Sequence, residues 1–191
     1  MILPNHKNNS AVILVLLISN TAFAQVYSGF TAGYQSVSFH NAQGISRWSG
    51  GRGIRAGALV DYPFRKSKFG ARLEAAYSFI HADDNAANDK LNLNYLSLPV
   101  SFFYMPHPQV QLFVGPQLNM LLHQSDSQGQ IEVFDKIDGG IHASMEFFFL
   151  RNTSVAIRYY RGMKYNTNAD LNKLNAIQLC LNYFLFKTKS G

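Results

Sequence analysis

The sequence predicts an eight-stranded antiparallel up-and-down transmembrane β-barrel, and three observations carry that expectation. Between Tyr27 and Phe186 there are eight stretches of strand length in which apolar and polar residues alternate. The connectors between them run long, short, long, short, long, short, long, the rhythm of a barrel with short turns at one end and loops at the other. The polar faces of these stretches carry arginines and carboxylates but no lysine, as expected of a confined interior rather than a water-washed surface.

The elements follow in order. The first stretch, about residues 28–39, sets Phe30, Ala32 and Tyr34 against Thr31, Gly33 and Gln35. In the second, Ile54, Ala56, Ala58, Val60 and Tyr62 oppose Arg55, Gly57, Leu59 and Asp61. The third, near residues 69–79, opposes Ala71, Leu73, Ala75, Tyr77 and Phe79 to Arg72, Glu74, Ala76 and Ser78. The fourth sets Leu96, Leu98, Val100, Phe102 and Tyr104 against Ser97, Pro99, Ser101 and Phe103. The fifth is the cleanest: Val110, Leu112, Val114, Leu118, Met120 and Leu122 face away from Gln111, Phe113, Gly115, Gln117 and Asn119, with Pro116 the one awkward member. The sixth opposes Ile141, Ala143, Met145, Phe147 and Phe149 to Asp138, Gly140, His142, Ser144 and Glu146. The seventh sets Val155, Ile157 and Tyr159 against Arg158 and Tyr160. The eighth closes with Ile177, Leu179, Leu181, Tyr183 and Leu185 opposite Gln178, Cys180, Asn182 and Phe184. A period of two is what a strand between two different environments requires.

Alternation alone does not separate a membrane barrel from a soluble one that points its apolar set inward. Charge placement does. After a signal segment is removed the lysines are Lys66, Lys68, Lys90, Lys136, Lys164, Lys173, Lys187 and Lys189, all expected in connectors or the tail. The polar strand faces instead offer Arg55, Arg72 and Arg158 against Asp61, Glu74, Asp138 and Glu146, close to balance. With Gln117, Asn119, His142 and Tyr160 these form the expected polar network of a side-chain-filled lumen. Eight strands enclose an interior just wide enough for side chains, and Gly33, Gly57, Gly115 and Gly140 fall in the inward set.

The chain begins with the pattern of a secretory signal: His6 and Lys7, the apolar run Ala11–Ile18, and Thr21-Ala-Phe-Ala with small residues before a cleavage point. Residues 1–24 are expected to be removed, leaving 25–191 as one barrel domain in the outer membrane of a Gram-negative bacterium. The apolar run falls well short of the roughly 20 residues of a spanning helix.

Four long connectors, 40–52, 80–90, 123–136 and 163–173, are expected to face outward and to serve adhesion, ligand or partner binding. Tight turns at 63–67, 105–109 and 150–153 face the periplasm. The turns and tail hold Arg65, Lys66, Lys68, Arg151, Lys187 and Lys189 without an acid, a favourable rim beside anionic lipid headgroups. A net charge of +6 arises from scattered residues, not from a basic run, so nucleic acid is not an expected partner. The lone Cys180 excludes an intramolecular disulfide.

No catalytic, metal or cofactor site emerges. His142, Ser144 and Glu146 share a face, but neighbours two apart on a strand lie roughly 6 to 7 Å apart, too far for mutual hydrogen bonds. His40, His81, His107 and His123 have no ligand-like spacing. Asp83, Asp84 and Asp89 with Asn85 and Asn88 read as a solvated loop ahead of a cation site.

Five segments, Gly29-Phe-Thr-Ala-Gly-Tyr, Tyr95-Leu-Ser-Leu-Pro-Val, Phe113-Val-Gly-Pro-Gln-Leu-Asn-Met-Leu-Leu, Arg158-Tyr-Tyr-Arg-Gly-Met and Gln178-Leu-Cys-Leu-Asn-Tyr-Phe-Leu, make the chain similar to the PorT-like outer-membrane β-barrel proteins of Bacteroidetes. The resemblance implies the fold and the location. Its founding member is associated with protein secretion, so a secretion accessory stands beside a barrel enzyme acting on lipid as an alternative to the non-enzymatic binding barrel.

Overall fold

The computed structural model describes residues 26–40, 50–83, 90–126, 136–163 and 173–185. The expected signal segment, the centres of the four long connectors with their Asp84–Asp89 cluster, and the tail lysines lie outside these residues. Eight strands, β1 (Tyr27–His40), β2 (Gly51–Pro63), β3 (Phe69–Asp83), β4 (Lys90–His107), β5 (Val110–Asp126), β6 (Ile137–Leu150), β7 (Thr153–Gly162) and β8 (Lys173–Phe184), pair each with the next, and β1 with β8, into a closed antiparallel barrel. Closure leaves no sheet edge, so every strand's backbone groups find partners across both neighbours, as hydrocarbon surroundings demand.

The register puts the alternating faces where the lipid and the lumen need them. Phe30 stands opposite Ala58 on β2 and Tyr183 on β8, all pointing outward, while Arg72 stands opposite Asp61 and Ser101, all pointing inward. Ile54, Leu73, Phe102, Ile157 and Ile177 are each more than half exposed. In water such a surface would be untenable; against acyl chains it is the favourable arrangement. On β4 the outward apolar run spans Leu96 to Tyr104, about the nine residues that a tilted spanning strand uses.

Several strands are longer than the sequence suggested. β3 continues to Asp83, β5 to Asp126, and β4 starts at Lys90, so parts of the expected connectors 80–90 and 123–136 are strand, as are Gly51 and Arg52 of connector 40–52. The short turns are tighter than expected, since Pro63, Met105 to His107, Leu150 and Thr153 belong to strands. Lys90 and Lys173, expected in loops, are the first residues of β4 and β8.

The reason for the added length is an inversion of the alternation. Past the membrane-length segment, Val37 and Phe39 turn inward with Ser36 and Ser38 outward, and Leu91 and Leu93 turn inward with Asn92 and Asn94 outward. These join Ile80, Ala82, Tyr95, Tyr160, Leu174 and Ala176 in one buried apolar cluster at the long-connector end. On β1 and β4 the outer face there is polar and the core apolar, as in a soluble barrel. The phase changes on β4 at Tyr95-Leu96, where two apolar neighbours point to opposite sides. A smaller apolar cluster, Leu59, Phe148 and Phe184 with Tyr27 against it, closes the short-turn end.

Aromatic rings fit inside because glycine lies on the neighbouring strand beside them, Gly70 directly opposite Phe103 and Gly140 diagonal to Tyr160. A Cβ on Gly70 would come within 2.2 Å of the Phe103 ring, and one on Gly140 within 2.6 Å of the Tyr160 ring. In the turn after β2, Lys66 takes a left-handed backbone with φ of 57°.

Candidate functional site: the lumen

Between the two apolar ends, the middle of the barrel is occupied by charge. Each strand contributes inward positions two residues apart, and closure of the ring brings those of opposite walls within reach of one another. Arg72 on β3 donates from Nε to Asp61 Oδ1 at 2.5 Å and from Nη2 to Asp61 Oδ2 at 2.8 Å, its partner being the residue directly opposite on β2. Its remaining nitrogen, Nη1, crosses the lumen to Glu146 Oε2 on β6 at 2.6 Å. The Arg72 guanidinium also lies 4.2 Å from the centre of the Phe113 ring, a cation–π contact in a desolvated setting.

A second cluster sits one step toward the long-connector end. Arg158 donates to both oxygens of Glu74, at 3.1 and 2.7 Å, spanning the barrel from β7 to β3. Arg55 shares Glu74 and donates as well to Gln178, whose Nε2 reaches Gln35 Oε1 at 3.1 Å. Three arginines and three carboxylates thus form two interlocked groups, with each ion pair side chain at most 3% exposed. Bidentate guanidinium–carboxylate geometry is the arrangement in which buried charges best offset their lost hydration.

The other sequence-predicted residues surround these groups. Tyr160 donates to Asp138 at 2.7 Å, and Gln117 Nε2 donates to Asn119 Oδ1 at 2.8 Å. Asp138 is therefore not in the arginine clusters but at the upper end of the lumen, beside the apolar cluster. His142 Nε2 shares a 2.8 Å hydrogen bond with Ser101 Oγ, while Glu146 accepts from Arg72 and from Ser154. The hydrogen-bond partners of His142 and Glu146 thus lie on other strands, Ser101 two strands away on β4, Ser154 on the adjacent β7 and Arg72 across the lumen on β3, as the spacing along one strand requires.

Sequence reasoning missed Gln35, Ser101, Ser154 and Gln178 as members of the network, and missed the apolar upper cluster altogether. Gln35, Ser101 and Gln178 lie on inward positions of the alternation as read, so their facing was available, while Ser154 falls before the first residue assigned to the seventh stretch. The partners were not available, because Gln178 and Arg55 are separated by 123 positions in the chain.

A cavity of about 10 Å³, lined among others by Gln35, Ser78, Ser97, Gln117 and Tyr160, sits between the charged layer and the upper apolar cluster. It has room for about one water molecule and for no larger ligand. Among the described residues no group of three or more His, Cys, Asp or Glu is placed to hold a metal ion.

A closed eight-stranded antiparallel barrel with a lipid-compatible outside and a packed, ion-paired inside defines a small outer-membrane β-barrel. The chain belongs to the outer membrane protein β-barrel domain family, whose profile matches residues 10–183. Among solved structures it is similar to Ail, the attachment invasion locus protein of Yersinia pestis, in complex with the heparin analogue sucrose octasulfate. That match has 14% identity and a TM-score of 0.54, over 84% of this chain and 99% of that one. It is also similar to Neisserial surface protein A, at 14% identity and a TM-score of 0.50, over 84% and 97%. No curated protein sequence matches the chain.

Proposed function

We propose that the protein is a non-enzymatic, non-conducting outer-membrane barrel. In this reading the long-connector end faces the outside and binds a ligand or protein partner, while the barrel serves as a rigid support. The observation that carries this reading is the continuous filling of the lumen: an apolar layer at each end and the Arg55, Arg72 and Arg158 ion pairs between them. Among the described residues a barrel so filled offers no route for solute, and in this reading interaction with the surroundings falls to the connectors. The upper cluster supports this further, because it continues the packed strands beyond the apolar belt toward the long-connector end. That a barrel of this fold, Ail, is seen with a heparin analogue fits ligand capture at the ends of the strands.

Export with loss of residues 1–24, and kinship with the PorT-like proteins, belong to the same proposal and rest on the sequence patterns described above. The test replaces residues 41–49, 84–89, 127–135 and 164–172 with short Gly/Ser connectors, singly and together, and measures binding of cells displaying each form to heparin and to extracellular-matrix protein surfaces. Loss of binding with a barrel that still shows heat-modifiable migration is the expected result. Undiminished binding by the form lacking all four, or turnover of labelled lipid A or phospholipid by the purified barrel, overturns it.

A further inference from the structure

The cavity between the charged layer and the upper apolar cluster has polar walls. Gln35, Ser78 and Gln117 line it, each at most 3% exposed, and Gln35 Nε2, Ser78 Oγ and Gln117 Oε1 have no hydrogen-bond partner among the described residues. A polar atom left unpaired so deep in a protein is unfavourable, and three around one space mark a place where a bound molecule completes them. The direction of each amide is set by a charged group at the far end of its chain of contacts. Arg55 carries only donors, so Gln178 turns its oxygen to it, and Gln178 Nε2 then donates to Gln35 Oε1 at 3.1 Å. Gln35 therefore meets the cavity with its amide donor. On the other side Tyr160 gives its hydroxyl proton to Asp138 at 2.7 Å, and its oxygen is hydrogen-bonded to the Asn119 amide. Asn119 thus offers Nδ2 to the phenol while its Oδ1 accepts from Gln117 Nε2 at 2.8 Å, which leaves the Gln117 oxygen for the cavity.

We infer that this cavity is a binding site for a single water molecule, which accepts from Gln35 Nε2 and donates to Gln117 Oε1, with Ser78 Oγ as its third partner. Space and chemistry agree. A volume of about 10 Å³ is what one water needs, and a buried water typically makes about three hydrogen bonds. One fixed donor, one fixed acceptor and a hydroxyl that can act as either are the complement of water. A metal cation wants oxygens on every side and would meet the Gln35 N–H, while an anion would meet the Gln117 oxygen. The water closes a chain in which every donor points the same way, from Arg55 through Gln178 and Gln35 to the water, then through Gln117, Asn119 and Tyr160 to Asp138. Hydrogen bonds aligned in this manner polarise one another, and the chain runs from a cation to an anion. It ties Asp138, the carboxylate that stands apart from the arginines, to the ion-paired layer below.

Two measurements on the folded barrel test the site. In crystals diffracting far enough to show ordered solvent, one peak is expected within about 2.7 to 3.2 Å of Gln35 Nε2, Gln117 Oε1 and Ser78 Oγ. Crystals grown with rubidium chloride as the only salt are expected to show no anomalous peak there. An empty cavity, a rubidium peak, or amides turned so that two oxygens face the space overturns the proposal. In detergent micelles, the Gln35 side-chain amide protons are expected to show cross-relaxation with water of the sign given by a bound molecule. Gln117→Met, which removes the acceptor and keeps much of the volume, abolishes that signal. Gln111→Met, a buried position at the short-turn end of β5, leaves it in place. Each variant is read only on barrel that retains heat-modifiable migration, and the wild-type crystal measurement stands without either of them. A signal that survives Gln117→Met, or that is lost in Gln111→Met, counts against the site.

Discussion

Arg72 and Asp61 stand directly opposite one another on β3 and β2 and are joined by two parallel hydrogen bonds of 2.5 and 2.8 Å, both side chains at most 3% exposed. The pair is anchored across the lumen by Glu146 and covered by the Phe113 ring, so its three charges have little access to water. Removing one partner leaves the others uncompensated. Arg72→Ala is expected to destabilise the barrel by about 3 to 5 kcal/mol. Equilibrium unfolding in urea from lipid vesicles measures this against Lys90→Ala, an exposed position at the end of β4 whose loss is expected to cost no more than about 0.5 kcal/mol.

The same reasoning makes the penalty one of imbalance, not of lost attraction. Arg72→Met combined with Asp61→Leu and Glu146→Gln removes the buried charges together and retains much of the side-chain volume. It is expected to unfold within about 2 kcal/mol of the wild type, far less than the sum of the single changes. Additive losses in the triple variant would show that the ion pairs stabilise the fold outright.

The upper apolar cluster should behave as a core although it lies beyond the lipid belt. Leu93 is fully buried there, and Leu93→Ala is expected to cost about 2 to 5 kcal/mol. Leu96→Ala, three positions along β4 but directed outward at the belt, leaves no internal cavity and is expected to cost less than half as much. Unfolding in vesicles compares the two. Equal costs would argue against a packed cluster outside the membrane.

Lys66 holds a left-handed backbone in the turn joining β2 and β3, where a side chain with a Cβ is disfavoured by roughly 1 to 2 kcal/mol. Lys66→Gly removes that strain but adds freedom to the unfolded chain. The net expectation is a gain of up to about 1 kcal/mol, measured by the same unfolding curves. Lys66→Val should move stability the other way.

A lumen filled from end to end should not conduct. In a planar bilayer the purified barrel is expected to show no steady porin-like openings at moderate voltage. Stable openings in the wild type would contradict the packing of the Arg55, Arg72 and Arg158 layer.

The sequence by itself determined that this chain forms eight strands, which residues of each membrane segment face lipid and which face the lumen, and that arginines and carboxylates share the interior. Alternation between Ile54, Ala56 and Ala58 on one side and Arg55, Gly57 and Leu59 on the other is a local property, written in consecutive residues by the pleat. Only the tertiary structure decided that Arg72 divides its donors between Asp61 and Glu146, that Arg55 and Arg158 both take Glu74, and that Asp138 stands apart with Tyr160. Such pairings depend on how the ring closes and how each strand is staggered against the next, and they join residues from 11 positions apart, Asp61 and Arg72, to 84 apart, Glu74 and Arg158. The inversion at Tyr95-Leu96 lies between the two cases. Leu91-Asn-Leu-Asn-Tyr alternates as cleanly as the segment after it, but in the opposite phase. Alternation states that a strand separates two environments, and not which side is apolar. Only the closed barrel shows that the strand has left the lipid, where the favourable place for leucine changes from outside to inside.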